Sequence, residues 1–285
     1  MSGQKVGIVG AGAMGTGIAN VAAMNGLNVI LQDVNEEQLV KSVSKMDAFM
    51  RKSVERNKLT NEEKESALQA VETTTELNSL KEVDIVIEAV IENMEVKQSV
   101  FKKLNDIVSD NAILATNTSS MSITEIASVV NQPERVAGMH FFNPAQLMKL
   151  VEVVRGFYTS DETVERLRTL AEQLNKKVVE VKKDSPGFIV NRVMIPQFIE
   201  AIRLVEEGVA SKEDVDTAVK YGLNYPMGPF ELQDYAGVDI GYFVMNYFAE
   251  EFNDSRFTPP LYLKQMMKAK RYGKKSGAGF YDYEK

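Results

Sequence analysis

The sequence predicts an α/β fold: a mostly parallel sheet covered by helices over residues 1–184, followed by an all-α domain over residues 185–285. Three observations carry this. Short β-branched runs alternate with helical patterns, which is the mark of strand–helix–strand units. Several runs, such as Ile85-Val86-Ile87, are continuously apolar, as strands buried on both faces must be. At Asp184-Ser185-Pro186-Gly187 the alternation stops at a turn-forming break, and the pattern beyond it is helical almost to the end.

In chain order, strands are expected at residues 5–9, 28–33, 84–90, 112–116, 136–142, 150–154 and 177–181. Beyond the break, Phe188, Val190, Val193, Met194, Phe198, Ile202 and Val205 recur at helical spacing, and Tyr225-Pro226-Met227-Gly228-Pro229 marks another turn.

Composition narrows the function. The 285 residues carry 33 Lys and Arg against 40 Asp and Glu, a formal net charge of −7, which argues against a nucleic-acid partner. The absence of cysteine removes disulfides, thiolate catalysis and Cys-ligated zinc, and it fits a reducing cytoplasm. No apolar run approaches a membrane span, and the apolar pattern begins at Val6, which leaves no room before it for a signal peptide. A cytoplasmic protein with no membrane partner and no metal is expected.

Gly10-Ala11-Gly12-Ala13-Met14-Gly15 is a G-x-G-x-x-G between a strand and an Ala-rich helical stretch that Asn25-Gly26 can end. A second strand delivers Asp33, 18 residues after the last glycine. This context makes the loop a Rossmann-type dinucleotide site. Gly10 allows the turn, Gly12 admits the pyrophosphate, Gly15 lets helix and strand pack closely, and the helix N-terminus stabilises the phosphates. Asp33 can accept hydrogen bonds from a ribose diol and would repel a 2′-phosphate. Val34, Asn35 and Glu36 offer no arginine to hold one, so NAD is favoured over NADP, with FAD a minor alternative. Gly273-Lys274-Lys275-Ser276-Gly277 lacks the order of a P-loop.

The one histidine, His140, lies near the end of its strand, where ligands bind in open α/β sheets. Glu152 follows 12 residues later inside the apolar run Leu150-Val151-Glu152-Val153-Val154. A carboxylate there needs a partner, and the imidazole is the candidate. Glu152 would hold the ring's tautomer and stabilise its protonated form, which makes an acid/base dyad. A satisfied structural pair is the plainer alternative. Asn117-Thr118-Ser119-Ser120 follows another strand and is either a simple turn or a source of hydrogen bonds to a ligand.

Taken together, these residues resemble the 3-hydroxyacyl-CoA dehydrogenase family, specifically its stand-alone bacterial type acting on 3-hydroxybutyryl-CoA. The resemblance spans nearly the whole chain. It rests on the glycine loop, Ile87-Glu88-Ala89-Val90 with Glu92 and Lys97, Asn117-Thr118-Ser119-Ser120 and Gly138-Met139-His140-Phe141-Phe142-Asn143-Pro144. It continues through residues 148–154, Pro186-Gly187-Phe188-Ile189-Val190-Asn191-Arg192, Pro226-Met227-Gly228-Pro229 and Gly277-Ala278-Gly279-Phe280-Tyr281. The resemblance implies that His140 is the general acid/base and Glu152 its partner. It implies that Ser119 bonds the substrate oxygen and that Asn191, from the helical domain, positions an acyl-CoA thioester. Glu92, Lys97, Asn117, Ser119, Asn143 and Lys275 would join the glycine loop and Asp33 in the NAD site. The substrate cleft would lie between the domains, and the helical domain would carry a homodimer interface.

A basic stripe bears on the CoA tail. On a helix from residue 36 to 58, Lys41, Lys45, Lys52 and Arg56 fall within about 60° of one another, opposite Leu39, Val43, Met46, Met50 and Val54. A solvated face is one reading; attraction of CoA phosphates is the other. Family resemblance favours the second for Lys52 and Arg56. Two other functions stay in view: a non-catalytic NAD-binding structural or sensor protein, and a β-hydroxyacid dehydrogenase acting without CoA.

Overall fold

Eight strands form one sheet, in the order β3-β2-β1-β4-β5-β6-β7-β8. They are β1 (Lys5–Val9), β2 (Asn28–Gln32), β3 (Val71–Thr74), β4 (Ile85–Glu88), β5 (Ile113–Thr116), β6 (Val136–Phe141), β7 (Leu150–Arg155) and β8 (Lys177–Val181). The computed structural model describes residues 4–283. β1 to β6 run parallel, β7 pairs antiparallel with β6, and β8 runs parallel to β7. The order reverses at β1, so a crevice opens beyond the carboxyl ends of β1 and β4. β4, β5 and β6 are buried along their whole length, as the apolar runs require of a sheet covered on both faces.

The chain divides into two compact units, Met1–Ser185 and Pro186–Lys285. In the first, α1 (Ala13–Met24), α2 (Glu36–Glu55), α3 (Asn61–Gln69), α4 (Met94–Ile107), α5 (Ile123–Ala127) and α6 (Asp161–Gln173) accompany the sheet. Asn35, Thr60, Asn93, Ser122 and Ser160 cap α2 to α6, each accepting a first-turn backbone N–H. α1 differs: its N-cap is Gly12, with no side-chain cap and no acid in its first turn.

Two local expectations fail. β3 lies outside the strands the sequence predicts, because three of the four residues in Val71-Glu72-Thr73-Thr74 are polar. An edge strand pairs on one side only and tolerates partly exposed side chains, so it lacks the apolar run of an inner strand. On α2 the buried row is Leu39, Ser42, Met46 and Met50, and Val43 is exposed. Ser42 turns inward because its hydroxyl donates to the Ala11 carbonyl and shares a hydrogen bond with Thr16.

The second unit contains α7 (Val190–Glu206), α8 (Lys212–Gly222), α9 (Pro229–Ala236), α10 (Val238–Glu251) and α11 (Leu261–Lys268). Isolated bridges join Gly273 to Ala278 and Ala278 to Asp282. Ile195, Phe198, Ile199 and Ile202 turn α7 into the core with Phe230, Phe248 and Phe257. Val193 is exposed, because five residues of helix set it about 140° from Phe198. Two buried carboxylates stitch this unit together. Asp216 accepts the Phe230 and Glu231 N–H groups and the Tyr281 hydroxyl, and Asp234 accepts the Phe280 and Tyr281 N–H groups and the Tyr283 hydroxyl.

Candidate active site

The parallel strands bring Gly10, Glu88, Thr116 and His140 to one edge of the sheet. At β1 the chain turns through Gly10 at φ +100°, where a side chain would press on the Ala89 carbonyl. A Cβ at Gly15 would fall 1.7 Å from the Gly10 oxygen, so only glycine lets α1 approach the strand. A Cβ at Gly12 would meet nothing within 4 Å, which leaves open space above the uncapped start of α1. Open space and unclaimed N–H groups are what a pyrophosphate needs, so the loop fits a dinucleotide.

Asp33 lies just past β2, and its carboxylate accepts the Ala11 N–H at 2.7 Å and the Asn35 N–H at 2.9 Å. The carboxylate is thereby held against the glycine loop. The Ala11 carbonyl accepts from Thr16, Gln38 and Ser42, which fastens the loop to α1 and α2. Sequence reading missed Gln38 and Ser42 in this role, since helical period does not say which polar side chains of α2 turn toward the loop.

Beside the cradle runs a chain of charges. Glu88, fully buried at the end of β4, accepts the Lys97 ammonium with both oxygens (2.9 and 3.2 Å), the Thr116 hydroxyl at 2.7 Å and the Val90 N–H at 2.7 Å. Lys97, buried on α4, also reaches Glu92 at 3.2 Å. Glu92 in turn accepts the Thr118 hydroxyl and the Ser119 N–H and hydroxyl. Burial pushes the Glu92 carboxyl up, but the Lys97 charge and the hydrogen bonds from Thr118 and Ser119 outweigh it and hold the group below its ordinary value. In the sequence Glu88 stands out only as part of the motif Ile87-Glu88-Ala89-Val90. Its place at the end of an apolar run is the same clue that singled out Glu152.

At β6 and β7, His140 stands directly opposite Glu152. Directly opposed residues share a face of the sheet. Their side chains meet at 2.7 Å, Nδ1 to Oε2, with His140 5% and Glu152 0% exposed. The Phe142 ring tilts against the imidazole at 4.5 Å. Asn117 accepts the Phe141 N–H at 2.9 Å, tying the loop after β5 to the histidine strand, and Asn143 follows β6 at an exposed position.

The remaining expected site residues lie elsewhere in the chain. Lys52 and Arg56 are exposed on α2, with Arg56 as its C-cap, alongside exposed Lys41 and Lys45. Asn191 and Lys275 belong to the second unit: Asn191 lies in the first turn of α7, and Lys275 pairs with Asp239 at 2.7 Å. Among the described residues no group of three or more His, Cys, Asp or Glu side chains could hold a metal ion, and no helix is long and apolar enough to cross a membrane.

Comparison with known proteins agrees with this geometry. Residues 5–185 match the 3-hydroxyacyl-CoA dehydrogenase NAD binding domain, and residues 187–283 match the C-terminal domain of the same family. A 3-hydroxybutyryl-CoA dehydrogenase of Clostridioides difficile is 43% identical over 99% of this chain and 100% of its own length. The human mitochondrial hydroxyacyl-coenzyme A dehydrogenase is 43% identical over 99% of this chain and 91% of its own. The crystal structure of (S)-3-hydroxybutyryl-CoA dehydrogenase from Ralstonia eutropha superposes with a TM-score of 0.97 at 42% identity, covering 100% of both chains. With both domain models matched in order and relatives aligned end to end, the chain belongs to the 3-hydroxyacyl-CoA dehydrogenase family.

Proposed function

We propose that this protein interconverts (S)-3-hydroxybutyryl-CoA and acetoacetyl-CoA, using the His140–Glu152 pair as its acid/base. The observation that carries the reading is the buried 2.7 Å contact between those side chains at the ligand-binding edge of an NAD-binding sheet. Bound NAD supplies the hydride acceptor at C4 of its nicotinamide. An ionised carboxylate can only accept, so Glu152 fixes the proton on His140 Nδ1 and makes Nε2 the basic nitrogen of the ring. In the oxidative direction Nε2 takes the proton of the 3-hydroxyl as C3 loses hydride. In the reductive direction the imidazolium returns that proton to the ketone oxygen, and Glu152 stabilises the charged ring.

Ser119 hydrogen-bonds the substrate oxygen and Asn191 positions the thioester. Glu92, Asn117, Asn143 and Lys275 complete the cofactor site with the glycine loop and Asp33, while buried Lys97 acts on that site through Glu92 and not by touching the cofactor. Lys52 and Arg56 attract the CoA phosphates. The protein works in the cytoplasm as a homodimer through its helical unit, a reading supported there by exposed Val193, Ile240, Phe243 and Leu261. Light scattering at micromolar concentration should give twice the chain mass; a monomer overturns the dimer.

The decisive assay follows NADH oxidation with acetoacetyl-CoA, longer 3-ketoacyl-CoA thioesters and free acetoacetate. Turnover with the C4 thioester and none with the free acid is expected. Cofactor binding without turnover would identify a non-catalytic NAD-binding protein, and turnover of the free acid alone would identify a CoA-independent dehydrogenase.

A further inference from the structure

We propose that Glu88 is a positioning residue for the reaction: by holding the buried Lys97 ammonium, it keeps one oxygen of Glu92 available to orient Ser119. The inference rests on Ser119 taking the substrate oxygen, as proposed above.

The donors and acceptors show why. Lys97 has three N–H donors: two face the oxygens of Glu88, and the third faces Glu92 Oε2. Glu92 Oε1 is therefore left to accept the Thr118 hydroxyl and the Ser119 N–H at 2.9 Å, which anchors Ser119 through its backbone with its hydroxyl 3.3 Å away and able to turn to the substrate oxygen. Glu88 is itself fixed from both neighbouring segments. Thr116, its register partner on β5, donates to Oε2, and the Val90 N–H donates to Oε1. Lys97 is 1% exposed, so no water competes for its charge. Such a pair is poor evidence of a stabilising device, because desolvation of both charges offsets their attraction. Its place beside Glu92 and Ser119 gives it a positioning use instead. Without the Glu88 charge, the ammonium would be drawn wholly to Glu92, engage both of its oxygens, and compete with Ser119 for Oε1.

The test is a double-mutant cycle on the full-length enzyme with Glu88→Gln and Ser119→Ala. It reads kcat for acetoacetyl-CoA reduction at saturating NADH, with thermal melting alongside. Glu88→Gln alone should lower kcat roughly tenfold, and in the Ser119→Ala background it should change kcat less than about twofold, because residues acting through one another are non-additive. A purely structural role would lower the melting temperature and leave the same fold-loss in both backgrounds, which overturns the proposal. So does a Glu88→Gln enzyme with wild-type kcat. If Ser119→Ala alone leaves kcat unchanged, the reading of Ser119 fails first and takes this inference with it; a Ser119→Ala defect with additive Glu88→Gln loss sinks the inference alone. Should Glu88→Gln not fold, Glu88→Asp retains the charge one methylene short of Lys97. The same cycle then expects a smaller loss that again vanishes without the Ser119 hydroxyl.

Discussion

Replacing Glu152 with glutamine isolates the charge of the dyad from its shape. The side chain is fully buried and contacts His140 Nδ1 at 2.7 Å, so the isostere fills the same space. Its amide oxygen can still accept the Nδ1 proton, and the neutral ring keeps its tautomer. What disappears is the carboxylate facing the imidazolium. A hydrogen bond to a charged group contributes about 1.5–3 kcal/mol, about twice a neutral one or more. The glutamine keeps a neutral bond, so only the difference, about 1–1.5 kcal/mol, is lost; at about 1.36 kcal/mol per tenfold in rate, kcat for acetoacetyl-CoA reduction should fall roughly 5- to 13-fold. His140→Gln removes the acid itself and should lower kcat by about 10²–10⁴. The double variant should be scarcely worse than His140→Gln, since the pair acts as one unit. Steady-state kcat at saturating NADH reads all three, and fluorescence titration should give near-wild-type NADH affinity, because neither side chain belongs to the glycine loop. A Glu152→Gln kcat within twofold of wild type, or multiplicative losses in the double variant, would refute the dyad.

Other outcomes follow from the same geometry. Asp33 faces the loop with no arginine at 34–36, so wild type should prefer NADH to NADPH, and Asp33→Ala should narrow the gap by weakening NADH; a wild-type kcat/KM equal or better with NADPH contradicts this. If Lys52 and Arg56 attract CoA phosphates, Lys52→Ala/Arg56→Ala should raise KM for acetoacetyl-CoA several-fold, more at low salt than high, with kcat unchanged; a salt-independent KM at the wild-type value returns them to a solvated helix face. Burial raises the Asp216 carboxyl above its ordinary value, against the hydrogen bonds from Phe230, Tyr281 and Glu231. The folded protein therefore holds this proton more tightly than the unfolded chain. The resulting stability is fully present below the unfolded value and is lost as pH rises through the folded one. Compared with Asp216→Asn, which cannot titrate there, wild type should gain in melting temperature as pH falls from about 7 toward about 4. A difference that is flat, or that moves the other way, contradicts the raised value.

The glycine loop, its acid and the sheet's carboxyl-edge histidine were legible in the chain because each depends on short-range order. A strand, a turn that needs glycine and a helix start are set by neighbours in sequence, and Asp33 follows one helix and one strand later. The pairing of His140 with Glu152 was legible for another reason: a buried carboxylate needs a partner, and the chain has one imidazole. Glu88 offered the same buried carboxylate without that scarcity. Its partners Lys97 and Thr116 stand 9 and 28 residues away among many lysines and threonines, and only the approach of α4 to β4 and the pairing of β4 with β5 select them. The rotation of α2 was likewise open. Helical period groups Leu39, Met46 and Met50 on one side, but whether Ser42 or Val43 completes that side depends on what lies beneath, and the Ala11 carbonyl there needs a donor. β3 is a strand because β2 offers it an edge to pair with, not because Val71-Glu72-Thr73-Thr74 demands one. Local stereochemistry and residue scarcity are written in the chain itself, whereas hydrogen-bond partners drawn from many candidates are chosen only when the elements pack.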